Sequence, residues 1–182
     1  MPFDTFKSIM YPALNANLYG TNMAGFASGF ASAYDLSIKA GGDMINNIPM
    51  LTGNRVAMES FLNLALSTTQ YSSSTTLLDV IGQSVIVYWA GMSLLQGIPP
   101  IIPAVGAIVN ITNTYSICTN PGVWTPLPVP ANTDPNLFIN AFVSSALLHL
   151  TTVSGFIMTL STYPPPGMIA PGIVFWQGYK VL

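Results

Sequence analysis

The sequence has very little charge. Its 182 residues include four Lys or Arg and six Asp or Glu, so that 5% of the chain is charged, whereas a soluble globular domain averages about one charged residue in four. Between Asp79 and Lys180 the one formal charge is Asp134, and the stretches 80–133 and 135–179 carry none. Few charges leave little repulsion between surfaces in water. The composition therefore predicts a chain whose surface is in contact with a bilayer, with copies of itself or with other proteins.

The small number of basic residues argues against a nucleic-acid partner. Lys7, Lys39, Arg55 and Lys180 are spread along the chain. Proteins that neutralise phosphates gather their Lys and Arg into a patch or a stripe. We therefore expect no direct binding to nucleic acid.

Few residues are available for catalysis or metal binding. The chain has one His, one Cys and one Glu, and it lacks the Gly-x-Ser-x-Gly elbow, the Walker loop and the dinucleotide fingerprint. His149 lies on the apolar stripe of a predicted helix, which is typical of a core histidine. Cys118 alone permits neither an internal disulfide nor a zinc ligand set. The sequence predicts a protein that is not an enzyme and that has no cofactor and no metal.

The hydrophobic pattern predicts a mainly α-helical fold of about four helices. Asn54 and Asp134 are predicted helix caps, and Pro135 suits a first helical position because its missing N–H has no partner there. Gly and Pro after the apolar stretches mark the helix ends. The predicted helices cover residues 23–40, 54–70, 77–96 and 135–160.

Long Pro-rich extended segments separate these helices, and we expect at most one or two isolated strands. The predicted organisation is an N-terminal arm (1–22), a helical domain (23–161) with an extended Pro-rich insertion (98–133), and a C-terminal extended arm (162–182). Within the insertion, residues 107–117 alternate apolar and polar side chains, as a half-buried strand does. Such a strand is expected to pair with a distant segment or another chain.

Aromatic residues are the candidates for contact with other proteins. Trp and Tyr are enriched among the residues that contribute most to binding at interfaces. The candidate interface residues are Trp89, Trp124, Phe175, Trp176 and Tyr179. The alternative, that the tryptophans are core residues, stays open at this point.

Two segments have the length of a membrane span. A spanning helix needs about 20 mostly apolar residues, and 77–96 and 137–160 meet that length. Both contain several polar side chains, and no Lys or Arg occurs between residues 56 and 179 to set a topology. An integral membrane protein with a helical hairpin of 77–96 and 135–160 is therefore the alternative to a subunit of an assembly.

The arrangement from Ser84 to Tyr179 resembles a known class of proteins. The residues that carry the resemblance are Val87-Tyr88-Trp89-Ala90-Gly91, Pro121-Gly122-Val123-Trp124, Thr152-Val153-Ser154-Gly155, Pro164-Pro165-Pro166-Gly167 and Trp176-Gln177-Gly178-Tyr179. In this order, with a long helix between the second and third groups, they resemble the minor capsid proteins of large icosahedral double-stranded DNA viruses.

The resemblance implies a mechanical role as a structural virion protein. Such a minor capsid or cement subunit lies beneath the outer shell, in some cases next to an internal membrane, and joins neighbouring capsid proteins. The implied partners are the major capsid protein and other minor capsid proteins, together with further copies of this chain. A tail or fibre component of a phage is a second structural role that the sequence does not separate from the first.

Overall fold

Five helices form most of the structure. The computed structural model describes residues 3–15, 23–40, 51–68, 74–90, 93–94, 110–130, 134–163 and 168–177. The helices are α1 (Asp4–Asn15), α2 (Met23–Ala40), α3 (Arg55–Thr68), α4 (Ser74–Ala90) and α5 (Pro135–Thr152). The prediction of a mainly α-helical fold is confirmed.

The helices pack in a closed ring around one core. Each contacts the next along the chain, and α5 returns to contact α1. Phe142 of α5 lies at the centre, with its ring centroid 4.8 Å from those of Phe6 on α1 and Phe30 on α2. The Phe30 and Phe142 rings meet edge to face, an arrangement that aromatic quadrupoles favour. The core is therefore shared between the two ends of the helical sequence.

An irregular arm was predicted for residues 1–22. That prediction is wrong for Asp4–Asn15, which form helix α1. Phe3, Phe6, Met10 and Leu14 are all buried, and their spacing of three or four residues places them on one face of a helix. The helix continues through Pro12, although an internal proline removes one backbone hydrogen bond. Burial of the apolar face outweighs that loss.

Both predicted helix caps are confirmed. The Oδ1 atom of Asn54 accepts a hydrogen bond from the backbone N–H of Ala57 at 2.9 Å. The Oδ1 atom of Asp134 accepts one from the N–H of Asn136 at 2.7 Å, with Pro135 next to the cap. Each side chain thereby satisfies one of the N–H groups that a helix start leaves unpaired.

Two helix ends differ from the prediction. Helix α5 stops at Thr152 rather than at residue 160, because Val153 is extended (φ −74°, ψ 134°) and strand β4 follows directly. Helix α4 covers Ser74–Ala90 rather than 77–96. Gly91 comes directly after it, and glycine is a poor helix former.

Three segments from the second half of the chain form an antiparallel sheet. Its strands are β3 (Asn110–Asn120), β4 (Ser154–Tyr163) and β5 (Met168–Gln177), in the order β3-β4-β5. The strand predicted at 107–117 is therefore present three residues later, and it pairs with a distant segment as expected. Part of the predicted C-terminal arm is β5, paired along β4. A second, two-residue ladder pairs β1 (Leu51–Thr52) with β2 (Ser93–Leu94).

No helix within the described ranges has both the length and the apolar character needed to cross a bilayer. Within the segments of that hairpin, 77–96 and 135–160, helix α4 extends to Ala90 and helix α5 to Thr152, and residues 154–160 belong to strand β4.

Candidate functional site

Helix α5 presents two different faces. Its inner face combines the buried apolar residues Phe138 and Phe142 with two buried polar ones, Ser145 and His149. Its outer face exposes Leu137, Asn140, Ser144, Leu148 and Thr151. The helix contains no Asp, Glu, Lys or Arg. His149 is therefore the one side chain of this helix that can carry a charge.

The extended segment 121–130, called the strap below, lies along α5. Three side chains of the helix, Ser145, His149 and Thr152, bond to the backbone of the strap between residues 121 and 127. Their spacing of four and three residues places them on one side of the helix. The strap thus receives from side chains the backbone partners that a strand would receive from a neighbouring strand.

Three hydrogen bonds join the backbone of the strap to side chains of α5. The carbonyl of Pro121 accepts from Nε2 of His149 at 2.8 Å. The N–H of Val123 donates to Oγ1 of Thr152 at 2.9 Å, and the N–H of Leu127 donates to Oγ of Ser145 at 3.0 Å. The prolines of the strap at 121, 126, 128 and 130 have no N–H group. Few backbone N–H groups of the strap therefore need a hydrogen-bond acceptor.

His149 is a core residue, as the sequence predicted, and it holds a neutral ring. It is fully buried, and burial lowers its pKa to about 4, while the bond to the Pro121 carbonyl acts in the opposite direction. Since a carbonyl oxygen only accepts, the ring proton is on Nε2. Among the described residues, Nδ1 has no hydrogen-bond partner although it is buried.

Trp124 anchors the strap in the core. Its side chain is 7% exposed and its ring lies 5.7 Å from that of Phe142 and 5.9 Å from that of His149, between centroids. The indole covers Gly82 of α4, where a Cβ would overlap the ring. The absence of a side chain at position 82 is therefore what admits the tryptophan.

Gly122 makes the turn into the strap. Its φ of +89° lies in a region that residues with a Cβ rarely adopt. A Cβ at this position would also come within 2.6 Å of Nε2 of His149 and 2.9 Å of Oγ1 of Thr152. The two hydrogen bonds at the start of the strap thus depend on glycine here.

A second group of buried polar side chains joins α2 to α4. The hydroxyl of Tyr88 donates to Oδ1 of Asp35 at 2.8 Å, and Lys39 donates to Oδ2 of the same carboxylate at 2.6 Å. The indole N–H of Trp89 donates to the hydroxyl of Tyr34 at 2.9 Å. Burial raises the pKa of Tyr34 and of Tyr88, and the Asp35 charge raises that of Tyr88 further. Both phenols are therefore held protonated, Tyr88 as a donor to Asp35 and Tyr34 as the acceptor of the Trp89 N–H.

Exposed apolar side chains lie on the outer sides of the ring. Leu64 on α3 is 65% exposed, Val123 on the strap 63% and Leu137 on α5 58%. Val56 on α3 and Leu148 on α5 are also more than half exposed. The one ion pair on α3, between Arg55 and Glu59 at 3.0 Å, joins neighbours one turn apart. The outer faces of α3 and α5 therefore offer apolar and small polar groups.

The structure does not place the candidate interface residues together on the surface. Trp89 is 1% exposed and, like Trp124, lies in the core, where a partner reaches neither ring. This is the alternative that the sequence left open for the tryptophans. Phe175 and Trp176 lie in β5, with their backbones paired to Phe156 and Gly155. Tyr179 lies outside the described residues.

Aromatic residue type did not predict the exposed residues of the outer faces, because these residues are aliphatic. Val56, Leu64, Leu137 and Leu148 were apparent only as parts of helices. The spacing of Ser145, His149 and Thr152 was readable in the sequence, but nothing in it identified the strap as their partner.

The described residues include no metal-binding cluster. No group of three or more His, Cys, Asp or Glu side chains there is placed to hold a metal ion. The thiol of Cys118 is partly buried and its pKa is raised to about 11 by that burial, so the nucleophilic thiolate is scarce at neutral pH.

No family model, curated protein or solved structure matched this chain in comparisons of its sequence and its fold.

Proposed function

We propose that this protein is a structural subunit of a large protein assembly, in the form of a minor capsid or cement protein of a large icosahedral double-stranded DNA virus. The observation that carries the proposal is the outer surface of α3 and α5, which exposes large apolar side chains among small polar ones. The viral setting comes from the resemblance over Ser84 to Tyr179.

Desolvation of these outer faces is the proposed binding mechanism. Obligate interfaces are more apolar and less charged than ordinary protein surface. Burial of exposed apolar area is worth about 25 cal/mol per Å² before the losses of association are subtracted. The partners proposed are the major capsid protein, other minor capsid proteins and further copies of the chain, and no enzymatic activity is proposed.

Backbone pairing at the sheet edge is a second source of contacts. In the described part of the sheet, β5 pairs with β4 along one side. An edge strand is a template for a strand from another chain. Pro171 in β5 has no N–H to offer, so pairing along this edge would be interrupted there.

Light scattering after chromatography tests the surface argument directly. We expect the chain expressed alone to self-associate, and the Leu137→Lys/Leu148→Lys double variant to shift towards monomer because it places charge on the outer face of α5. Gln83→Lys, on an exposed position of α4, is the matched control and is expected to leave association unchanged. A wild-type chain that stays a monodisperse monomer at high concentration would contradict the proposal.

Mass spectrometry of purified virus particles tests the setting. The chain should be present in fixed proportion to the major capsid protein and should resist removal by salt washes. Its absence from particles produced by cells that express it would leave the surface argument intact and refute the capsid role.

A further inference from the structure

We infer that the strap is an acid-sensitive clasp, in which protonation of His149 releases residues 121–130 from α5 and uncovers the indole of Trp124. This inference does not rest on the proposed function. It begins from the contrast between the two ring nitrogens of one buried side chain.

The neutral ring fits its site and the charged ring does not. Nε2 carries the proton that is donated to the Pro121 carbonyl at 2.8 Å. A second proton would enter at Nδ1, which is buried and has no acceptor among the described residues. An unpaired charge in such a site is strongly disfavoured, and the route by which the ring reaches water is the opening of the strap above it.

The contacts that hold the start of the strap lie close together. His149 and Thr152 hold its first residues, and the indole of Trp124 lies beside the imidazole ring, at 5.9 Å between centroids. Gly122, with φ of +89°, lies between the Pro121 carbonyl and the Val123 amide. His149 therefore takes part in two of the contacts that hold the start of the strap, the bond to Pro121 and the ring contact with Trp124.

No other ionisable group accounts for the behaviour of His149. The ionisable side chains on elements around α5 are Asp4, Lys7 and Tyr11 on α1, Tyr34, Asp35 and Lys39 on α2, Asp79 and Tyr88 on α4, Tyr115 and Cys118 on β3, Asp134 at the start of α5 and Tyr163 on β4. The pKa of His149 is set by burial and by the Pro121 carbonyl. Asp79 and Asp134 are exposed, and the raised pKa of Cys118 keeps its thiol neutral in acid.

The size of the expected effect follows from proton linkage. The closed strap holds the His149 pKa at about 4 against an ordinary value of 6.5, so the open form binds a proton more readily between these two values. Closure is therefore fully favoured above pH 6.5 and weakens as the pH falls towards 4. Linkage predicts that the opening equilibrium rises about 30-fold between pH 8 and pH 5.

The single histidine of the chain makes the first measurement unambiguous. We expect ¹⁵N NMR of the full-length protein to show the Nε2–H form at neutral pH and a titration midpoint near 4. A midpoint near 6.5 would overturn the inference, because the ring would then be accessible to water in the native state.

Hydrogen exchange of the strap, measured by mass spectrometry and corrected for the intrinsic pH dependence of exchange, tests the release. Protection of the Val123 and Leu127 amides should fall about 30-fold between pH 8 and pH 5 in the wild type, as linkage requires. His149→Gln is the matched control, since its amide can still donate to the Pro121 carbonyl but does not titrate here, and it should show no such fall. Thr152→Val should open the strap further at both pH values by a similar factor.

Three outcomes of the exchange experiment would overturn the inference. They are an equal fall in wild type and His149→Gln, constant protection of the strap across the range, and a parallel loss of protection in α3. The last would mean that acid unfolds the whole chain rather than releasing the strap.

Discussion

At the scale of single residues, buried polar side chains connect elements that the apolar core alone would leave free to slide. Asp35 is the clearest case, because its carboxyl group is buried between one phenol and one ammonium group. Lys39 stabilises it from the same helix, whereas Tyr88 reaches it from α4. The bond to Tyr88 is therefore the one that relates two helices.

Removal of the Tyr88 hydroxyl should destabilise the protein more than removal of the Tyr34 hydroxyl. Tyr88→Phe leaves one oxygen of the Asp35 carboxylate without its donor, and a hydrogen bond to a charged group is worth about 1.5–3 kcal/mol. Tyr34→Phe removes the acceptor of the Trp89 N–H, a neutral pair worth about 0.5–1.5 kcal/mol. Urea unfolding of both variants measures the difference, and equal losses would show that Asp35 does not depend on Tyr88.

Two glycine-to-alanine substitutions should have opposite effects on the free energy of unfolding. Gly122→Ala meets a positive φ and the side chains of His149 and Thr152, and we expect a loss of more than about 1 kcal/mol. Gly29→Ala lies in the middle of α2 with no atom within 4 Å of the new Cβ, and we expect a gain of about 0.5–1 kcal/mol. Thermal unfolding checks both signs, and a stabilising Gly122→Ala would contradict the described strap geometry.

At the scale of elements, local signals predicted the helix starts and tertiary contacts decided the ends. Asn54 and Asp134 were readable as caps because a cap acts within three residues of itself. The end of α5 was not readable, since the apolar pattern continues past Thr152 and the change to strand depends on pairing with β3, far away in sequence.

Helix α1 is an element that local sequence signals did not predict and that tertiary contacts stabilise. The turn signals Tyr11-Pro12 and Tyr19-Gly20 favoured an irregular arm, whereas the packing of Phe6 against Phe30 and Phe142 stabilises a helix over residues 4–15. The strap could be predicted to be extended from its prolines, but its position on α5 could not, because its partners are side chains of a different element.

Truncation of Phe6 should therefore destabilise the fold although it lies near the start of the chain. Phe6→Ala removes a fully buried ring, and such cavities lower the free energy of unfolding by about 3–5 kcal/mol. Leu64→Ala, at an exposed apolar position, is the control and should stay within about 0.5 kcal/mol of the wild type. If Phe6→Ala unfolds like the wild type in urea, α1 is not part of the core.

Deletion of residues 164–182 should leave the helices and reduce the three-stranded sheet to the pair β3 and β4. It takes away β5, the partner of β4 along its full length, whereas the five helices and their ring of contacts lie before it. Circular dichroism should retain the helical signal, and under the proposed function the truncated chain should be incorporated poorly into assemblies. Loss of the helical signal would show that the helical ring needs β5.

At the scale of the whole molecule, the surface has few charges and two of its ion pairs are internal to single helices. Asp35 pairs with Lys39 on α2 and Arg55 with Glu59 on α3, and each pair cancels its own charge. The low charge was evident in the sequence. What the structure adds is the position of the exposed apolar groups on α3 and α5.

Self-association of the chain should consequently resist salt. Contacts between charged surfaces weaken as ionic strength rises, because the Debye length falls to a few ångströms near 1 M. Contacts between uncharged surfaces do not weaken in this way, and we expect the molar mass from light scattering to be unchanged or higher in about 0.5 M NaCl. Dissociation by salt would mean that the few charges, and not the outer faces of α3 and α5, hold the copies together.

The closure of the helical ring by α1 and α5 also sets an order of events during synthesis. The hydroxyl of Tyr11 donates to Asn140, a residue 129 positions later in the chain. The ring of Phe6 likewise packs against Phe142, near the end of the helical sequence. Contacts that span so much sequence form late and slow the folding of a domain. A ribosome therefore releases the first helix well before its partner exists, and throughout that interval the nascent chain displays an apolar face that a chaperone, or another unfinished copy, can bind.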